Sequence, residues 1–453
     1  MTKTSRIADF TTGPITKQLA VFAAPLFLSN LLQVVYNMVD MIVVGQTLGR
    51  VGLSAVSVGG DVSHFMTFIA MGFSSAGQVI ISQYIGAKER HKLGRFVSTM
   101  FGFLVVCSLF ISSLCICFRG PILHLMNVPE AAYEQALGYS TVSALGLVFI
   151  YGYNMVSAVL RGMGDSKHPF VFISLAAVMN LILDVVFVVF LNTGAPGAAL
   201  ATVISQGTSF VLCAIFLLKH KEEFELNMSF RDFFHWDKEM ISSLVKLGTP
   251  MAIKSASIQF SKLFVNSWIN SYGVAVSAFA GIANKFSSIA NLVSQALNTA
   301  GSSMVGQNIA AKKFERVTKI MLILFAITFT FAAGFSLLVW SYPMEVFSIF
   351  TQDSEVLAIA PAYIPIAALL FFGSAARCGM NALINGSGNY KCNFATAIFD
   401  GIVMRIGLAV LFGLILDMKY LGFWLGDALA GFTPFVIGLV FYFSGSWKKG
   451  REH

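Results

Sequence analysis

The chain has 453 residues, of which 56% are hydrophobic and 11% are charged, and its mean hydropathy is +0.76. Soluble domains carry about 25% charged residues, so this composition excludes an ordinary water-soluble protein. The formal net charge is +8, from 30 Lys and Arg against 22 Asp and Glu. Because the basic residues are scattered over short loops and form no single patch, the charge does not indicate binding of nucleic acid.

Long uncharged segments indicate helices that cross a membrane. Phe96–Phe118 and Ile320–Pro343 contain no charged residue at all. A helix needs about 20 apolar residues to cross the ~30 Å hydrocarbon layer of a bilayer. We therefore predict an all-α polytopic membrane protein with twelve transmembrane helices. The predicted spans are 17–44, 52–82, 95–118, 132–160, 169–192, 195–218, 241–270, 276–306, 316–341, 355–385, 392–415 and 420–446.

The two halves of the chain repeat each other, since three segments of the first half recur 224 or 225 positions later. A nearly constant separation indicates duplication of a whole domain. Six spans per copy give both copies the same orientation, so we predict two parallel-repeat six-helix bundles. The predicted domains are an N-terminal lobe (1–218), a cytoplasmic linker (219–240) and a C-terminal lobe (241–453). The repeated segments are Leu19–Pro25 with Leu244–Pro250, Gln83–Lys88 with Gln307–Lys312, and Arg161–Lys167 with Asn385–Lys391.

Basic residues gather at the termini and in the loops after even-numbered spans, as at Lys88, Arg90, Lys92 and Arg451. By the positive-inside rule, both termini are predicted to be cytoplasmic. The first apolar segment is too long for the core of a cleavable signal, so we expect it to remain as the first span. We expect an integral protein of the plasma (cytoplasmic) membrane.

No residue pattern indicates catalysis or a metal site. The six Cys lie in or beside apolar segments, and Cys115 and Cys117 have a spacing that fits neither a zinc ribbon nor a redox pair. We therefore predict a protein that is not an enzyme and that needs no cofactor or metal.

Two acidic residues of the first half lie in the middle of predicted spans, where a charge is costly and needs a reason. Asp40 shares one helix face with Gln33, Tyr36 and Asn37, because the four positions follow i, i+3, i+4 and i+7. Asn180 and Asp184 share a face of the fifth span, and Asn154 lies in the fourth. We expect these polar faces to meet across a hydrated pocket lined by Gln33, Tyr36, Asn37 and Asn154.

A pair of carboxylates in such a pocket is suited to hold one proton, because burial and mutual repulsion both disfavour two ionised groups. We therefore predict a proton-binding site formed by Asp40, Asp184 and Asn180. The structural alternative is that both acids only make hydrogen bonds that join neighbouring helices.

Charged residues also lie within or near spans of the second half. Asp400 and Arg405 are five positions apart on the eleventh span, so pairing on one helix face is expected to be awkward, and Asp400 is expected to find a base on another helix. Two interpretations remain open: paired structural charges, or a lobe of positive character that admits anionic or zwitterionic compounds. The basic residues concerned include Lys254, Lys262, Arg377 and Arg405.

Several segments resemble the multidrug and toxic compound extrusion family. They are PLFLSNLLQVVYNMVDMIVVG (25–45), GLSAVSVGG (52–60), LRGMGDSKHPF (160–170), GAPGAALATVISQ (194–206) and INGSGNYK (384–391). The resemblance covers essentially the whole chain. It implies a secondary antiporter with two six-helix lobes around a central cavity, which exports organic, often cationic and amphipathic compounds in exchange for protons or sodium.

Within that family, the chain resembles the DinF-like branch. That branch has a functional aspartate on the first helix and an asparagine–aspartate pair on the fifth, which Asp40, Asn180 and Asp184 match. The NorM-like branch also uses second-lobe acids, including a glutamate on the seventh helix. Here the seventh span carries Lys254 and Lys262 and no acid, so the resemblance favours coupling in the first lobe.

The sequence thus predicts a proton-coupled multidrug exporter that works by alternating access. The alternatives are sodium coupling at the same acids, or a flippase for lipid-linked precursors that uses the basic residues of the second half to hold a phosphate. Small organic substrates and membrane lipids are the expected partners, with no nucleic acid, and a monomer is the expected state.

Overall fold

The computed structural model describes residues 5–126, 128–228, 230–233 and 236–449, and in these residues every regular element is helical. Within them, nine helices are long and apolar enough to cross a membrane, and a tenth crossing is a helix pair bent by 47°. Two more long helices, of 33 and 37 residues, occupy the predicted seventh and eighth spans. The predicted all-α polytopic architecture of twelve transmembrane helices is confirmed.

The observed helices follow the order of the predicted spans. Short helical segments lie between some of them, at Phe230–Phe233, Pro343–Ser348 and Ser354–Leu357. The twelve helices are Ile15–Gly49, Val51–Gly86, Arg90–His124, Glu130–Leu145 with Leu147–Gly162, Lys167–Phe190, Ala195–Lys219, Lys238–Asn270, Val274–Ala310, Phe314–Ser341, Ala360–Ser387, Tyr390–Ile415 and Lys419–Phe443.

Glycines mark two places where the helices change direction. Gly49 has a φ of 62° and separates the first two helices, which otherwise continue without a loop. Gly146 separates the two parts of the fourth helix, and a Cβ atom there would lie 2.2 Å from Val203 Cγ2 of the sixth. Any larger residue would collide with Val203. The lack of a side chain at Gly146 therefore lets the fourth helix pack tightly against the sixth.

The chain divides into two compact units. The first contains Met1–Asp9 and Ala24–Ala252, and the second contains Phe10–Ala23 and Ile253–His453. The first and seventh helices therefore change unit along their length, at points close to the repeated prolines Pro25 and Pro250. The predicted linker at 219–240 belongs to the first unit, and its residues 229, 234 and 235 lie outside the described residues, as does Arg451.

Each unit has its own apolar core. In the first, large buried side chains from the second, third and fourth helices pack together, including Ile80, Phe96 and Tyr151. In the second, the core is rich in aromatic rings, and Phe279 contacts Phe347, Tyr363 and Trp424 with ring centroids 5.2–5.5 Å apart. These cores fix the helices that carry the polar groups described below.

The backbone records the duplication independently of side-chain similarity. Residues with positive φ recur at equivalent positions, first 224 and later 225 residues apart. The separation between equivalent positions increases by one residue within the eleventh helix. There the π-helical segment Phe399–Val403 accommodates an extra residue. The pairs are Gly49 with Gly273, Lys88 with Lys312, Gly164 with Gly388, Asn192 with Asp417, and Gly194 with Lys419.

Candidate functional site

The carboxyl groups of Asp40 and Asp184 meet in the first unit. They come from the first and fifth helices and lie in hydrogen-bonding contact. Asp184 is fully buried, and Asp40 is half-buried. Ionised carboxylates only accept hydrogen bonds, so contact between two carboxyl groups needs a proton between them. The arrangement is therefore suited to hold one proton.

Asn180 supports this pair from one helical turn before Asp184, and its side chain is buried. With its amide nitrogen facing Asp184, Asn180 donates to Asp184 Oδ2 at 3.3 Å, and its oxygen accepts from the Thr202 N–H at 3.2 Å. Thr202 lies on the sixth helix, whose Gly- and Ala-rich start permits a close approach to the fifth. The amide thus links the acid to a second helix.

Two tyrosines complete the surroundings of the acid pair. Tyr36 precedes Asp40 by one turn on the same helix, and both aspartates exert an electrostatic effect on it. Tyr139, from the fourth helix, is buried and is also affected electrostatically by both aspartates. Its ring packs against Gly59 of the second helix, where a Cβ atom would lie 2.4 Å from Tyr139 Cδ1. Tyr139 and Thr202 were not predicted from the sequence; Gly59, a glycine within the second span, is a signal for the close approach of a bulky group.

The other predicted pocket residues are placed differently. Asn154 donates from its amide to the carbonyl oxygen of Ile150 at 2.8 Å, so its hydrogen bond stays within its own helix. Gln33 is half-buried, and Asn37 is exposed. The structure therefore brings together Asp40, Asp184, Asn180 and Tyr36, whereas the expected contribution of Asn154 to the acid pair is not seen as a hydrogen bond.

An ion network lies in the second unit. Arg377 Nη2 of the tenth helix donates to Asp400 Oδ1 at 2.8 Å and to Oδ2 at 2.7 Å. The expectation that Asp400 pairs with a base on another helix is confirmed. Arg405 Nη1 also bonds Asp427 of the twelfth helix, so three helices are joined by charged groups.

The expectation of awkward pairing between Asp400 and Arg405 was wrong. Arg405 Nη2 lies 3.3 Å from Asp400 Oδ1, although both residues belong to the eleventh helix. The expectation assumed an α-helix, in which positions five apart point in different directions. The segment Phe399–Val403 is a π-helix, whose i→i+5 hydrogen bonds bring such positions onto one face.

The two lysines of the seventh helix have neutral partners. Lys254 Nζ donates to Asn381 Oδ1 at 2.6 Å, and Lys262 Nζ donates to Ser287 Oγ at 3.2 Å. Lys254 and Lys262 are both half-buried. The second unit thus presents ammonium groups beside a network whose carboxylates already have guanidinium partners.

Twelve long helices in two repeated halves, with buried charged groups inside apolar spans, are typical of polytopic membrane transporters. The MatE family model matches the chain twice, at residues 25–186 and 250–411, which together cover more than half of it. The chain belongs to the MatE family of multidrug efflux transporters, and the resemblance to the multidrug and toxic compound extrusion family that the sequence indicated is confirmed.

Known proteins are similar over nearly the whole chain. The probable multidrug resistance proteins YoeA and YpnP of Bacillus subtilis are each 27% identical, and the matches cover 96% and 97% of this chain and 95% and 97% of those relatives. A solved outward-facing structure of a multidrug resistance MATE family transporter of the MOP superfamily has a TM-score of 0.90 at 21% identity, covering 99% of each chain. This structural similarity establishes the fold.

Proposed function

We propose that this protein exports organic compounds in exchange for protons, by alternating access, with Asp40 and Asp184 as the proton-binding pair. The observation that carries the proposal is the contact between the two carboxyl groups inside the first unit. A site that holds one proton and releases it to water on either side in turn is what proton-driven antiport requires. Asn180 positions the Asp184 carboxyl group, and Tyr36 lies beside the pair.

The energy available from such a site is sufficient for concentrative export. Moving one charge across 100 mV is worth about 2.3 kcal/mol, which sustains a substrate gradient of about fiftyfold. The protein would reside in the cytoplasmic membrane with both termini in the cytoplasm, as the distribution of basic loop residues supports. A monomer contains the complete carboxyl pair and is the proposed working unit.

The test uses the purified full chain in proteoliposomes with a pH gradient imposed across the membrane. Wild type is expected to move a fluorescent organic substrate and to dissipate the gradient as it does so. Asp40→Asn and Asp184→Asn are each expected to lose both activities, because the remaining carboxyl group then faces an amide, which cannot take up or release the shared proton. Wild-type rates of export and of gradient dissipation in Asp40→Asn would refute the coupling role.

A matched control replaces an exposed acid outside the site. Asp417 has a φ of 50°, a conformation that asparagine adopts readily, so Asp417→Asn is expected to transport like wild type. Two further outcomes would overturn the proposal in favour of one of the alternative functions. Export driven by a sodium gradient alone would indicate sodium coupling, and translocation of a labelled lipid without export of any dye would indicate a flippase.

A further inference from the structure

Positive groups outnumber negative groups in the charged cluster of the second unit. The four cationic side chains face two carboxylates, so the cluster has a formal excess of two positive charges. Electrostatic effects of Asp427, Arg405, Arg377 and Asp400 all act on Lys262, which shows that these groups lie in one connected region. The cationic members are Lys254, Lys262, Arg377 and Arg405, and the acidic members are Asp400 and Asp427.

The two carboxylates are engaged by the arginines. Asp400 accepts three hydrogen bonds, two from Arg377 and one from Arg405, while Asp427 accepts from Arg405. Asp400 and Arg405 are almost completely buried, with 0% and 3% of their surface exposed. The inner part of the cluster is therefore a compact, paired network that leaves the positive excess at its accessible edge.

The lysines form that edge, and each of them uses only part of its capacity to donate hydrogen bonds. An ammonium group carries three N–H donors, and the described structure gives each lysine one neutral acceptor, Asn381 Oδ1 for Lys254 and Ser287 Oγ for Lys262. The Nε atoms of Arg377 and Arg405 are also buried without an acceptor among the described residues. The region therefore has a surplus of donors as well as a surplus of positive charge.

Space for a small polar group adjoins Lys262. A cavity of about 20 Å³ is lined by Lys262, Asn266, Asn284, Ser287 and Asp427, among other residues. A space of this size accommodates one water-sized group, such as an oxygen of a carboxylate or phosphate. Uncompensated charges at membrane depth are costly, so an anionic ligand would relieve both the charge imbalance and the unused donors.

We propose that Lys262 binds an anionic group of the transported compound, namely a carboxylate or phosphate on an amphipathic body, and that Lys254, about 12 Å away along the same helix, adds positive charge to the site. The inference rests on the proposed export function and names its substrate class: organic zwitterions and anions, in preference to simple cations. The ammonium groups supply the charge and the hydrogen bonds. The Arg377–Asp400–Arg405–Asp427 network holds the surrounding helices in place and prevents either acid from neutralising the lysines.

The experiment compares two dyes that differ only at the proposed contact. One is a rhodamine methyl ester, which is a cation, and the other is the corresponding free acid, which is a zwitterion. Wild-type proteoliposomes are expected to transport the free acid with the higher kcat/KM. Hydrogen bonds to charged groups are worth about 1.5–3 kcal/mol, so Lys262→Met is expected to lower kcat/KM for the acid about tenfold or more. Lys254→Met removes only a more distant charge and is expected to lower it by a smaller factor, and both variants are expected to leave transport of the ester unaffected.

Two controls separate a binding role from a folding role. Lys246→Met changes an exposed lysine of the same helix and is expected to transport both dyes like wild type. Lys254→Arg and Lys262→Arg retain the charge and are expected to preserve the preference for the acid. Transport of the ester by the methionine variants shows that they are folded, so equal loss for both dyes would overturn the proposal.

The outcomes distinguish this inference from the proposed function. Export of the ester alone by wild type would overturn the anion site and leave the exporter intact. Lysine-dependent transport of the acid that survives Asp40→Asn would support the anion site and overturn the proton coupling. A third arm of the experiment tests labelled phosphatidylglycerol. Lysine-dependent translocation of this lipid without dye export would support the anion site and identify the bound anionic group as a lipid headgroup. It would also overturn the exporter function. Failure to move any of the three compounds would overturn both proposals.

Discussion

Arg405 reaches the carboxylate of Asp400 on its own helix, with Nη2 lying 3.3 Å from Oδ1. In an α-helix of 3.6 residues per turn, side chains five positions apart diverge by roughly 140°. The π-helical segment Phe399–Val403 removes that divergence. Arg405 also bonds Asp427 of the twelfth helix, and Arg377 of the tenth helix bonds Asp400, so one extra residue in the eleventh helix completes a link between three helices of the second unit.

The ion network predicts a large loss of stability when its central cation is removed. Arg405→Met leaves Asp427 without its guanidinium partner, and breaking a buried ion pair from one side costs about 3–5 kcal/mol. We expect a clear fall in the midpoint of thermal unfolding of the purified protein in detergent.

A double variant tests whether the loss of stability in Arg405→Met comes from the uncompensated charge of Asp427. Adding Asp427→Leu to Arg405→Met removes the uncompensated charge and is expected to recover part of the stability. Lys319→Met, at an exposed position of the ninth helix, is expected to change stability by less than about 0.5 kcal/mol. An Arg405→Met protein that unfolds at the wild-type temperature would contradict the role of the network.

Adjacent glycines of the second helix predict opposite outcomes. A methyl group at Gly59 would lie 2.4 Å from Tyr139 Cδ1, whereas one at Gly60 would meet no atom within 4 Å. Gly59→Ala is therefore expected to displace the tyrosine beside the carboxyl pair and to lower the export rate. Gly60→Ala is expected to transport normally and to gain stability, since alanine favours a helix over glycine. Equal export by the two variants in a proteoliposome assay would show that the position of Tyr139 is unimportant.

The orientation of the Asn180 amide predicts a contrast between two isosteric substitutions. With its nitrogen facing Asp184, the amide needs only the main-chain N–H of Thr202, so Thr202→Val is expected to be nearly neutral for export. Asn180→Leu removes a hydrogen bond to the carboxyl group and is expected to reduce export about tenfold. In the opposite orientation the amide donates to Thr202 Oγ1 at 3.4 Å, and a large effect of Thr202→Val would establish that geometry instead.

The repeated prolines predict a hinge in each copy. Pro25 and Pro250 lie inside helices, each close to the position where the chain passes from one compact unit to the other. A proline in a helix interior removes one hydrogen bond and costs about 3 kcal/mol. Pro25→Ala and Pro250→Ala are each expected to raise thermal stability and to slow export, because a straight helix resists bending. Unchanged export in Pro25→Ala would argue for a static kink.

Much of the first-unit site was predictable because its residues share helix faces. Asp40 and Tyr36 are one turn apart, as are Asn180 and Asp184, and a carboxylate in an apolar span stands out at once. Tyr139 and Thr202 were missed because tyrosine and threonine are common in helices. Only the packing of the helices against one another places these two residues beside the acid pair and Asn180. The hydrogen bond of Asn154 to Ile150 was missed for a related reason, since an amide in a helix can bond its own preceding turn.

The sequence by itself determined that this is a duplicated, membrane-spanning protein of twelve helices, because hydrophobic length and a nearly constant repeat distance are properties of the linear chain. It also determined which side chains carry charge where charge is costly. Tertiary structure alone decided which of them meet. The contact of Asp40 with Asp184 depends on how two helices are rotated against each other, and the pairing of Asp400 with Arg405 depends on a π turn, which changes the angular register of every later side chain on that helix.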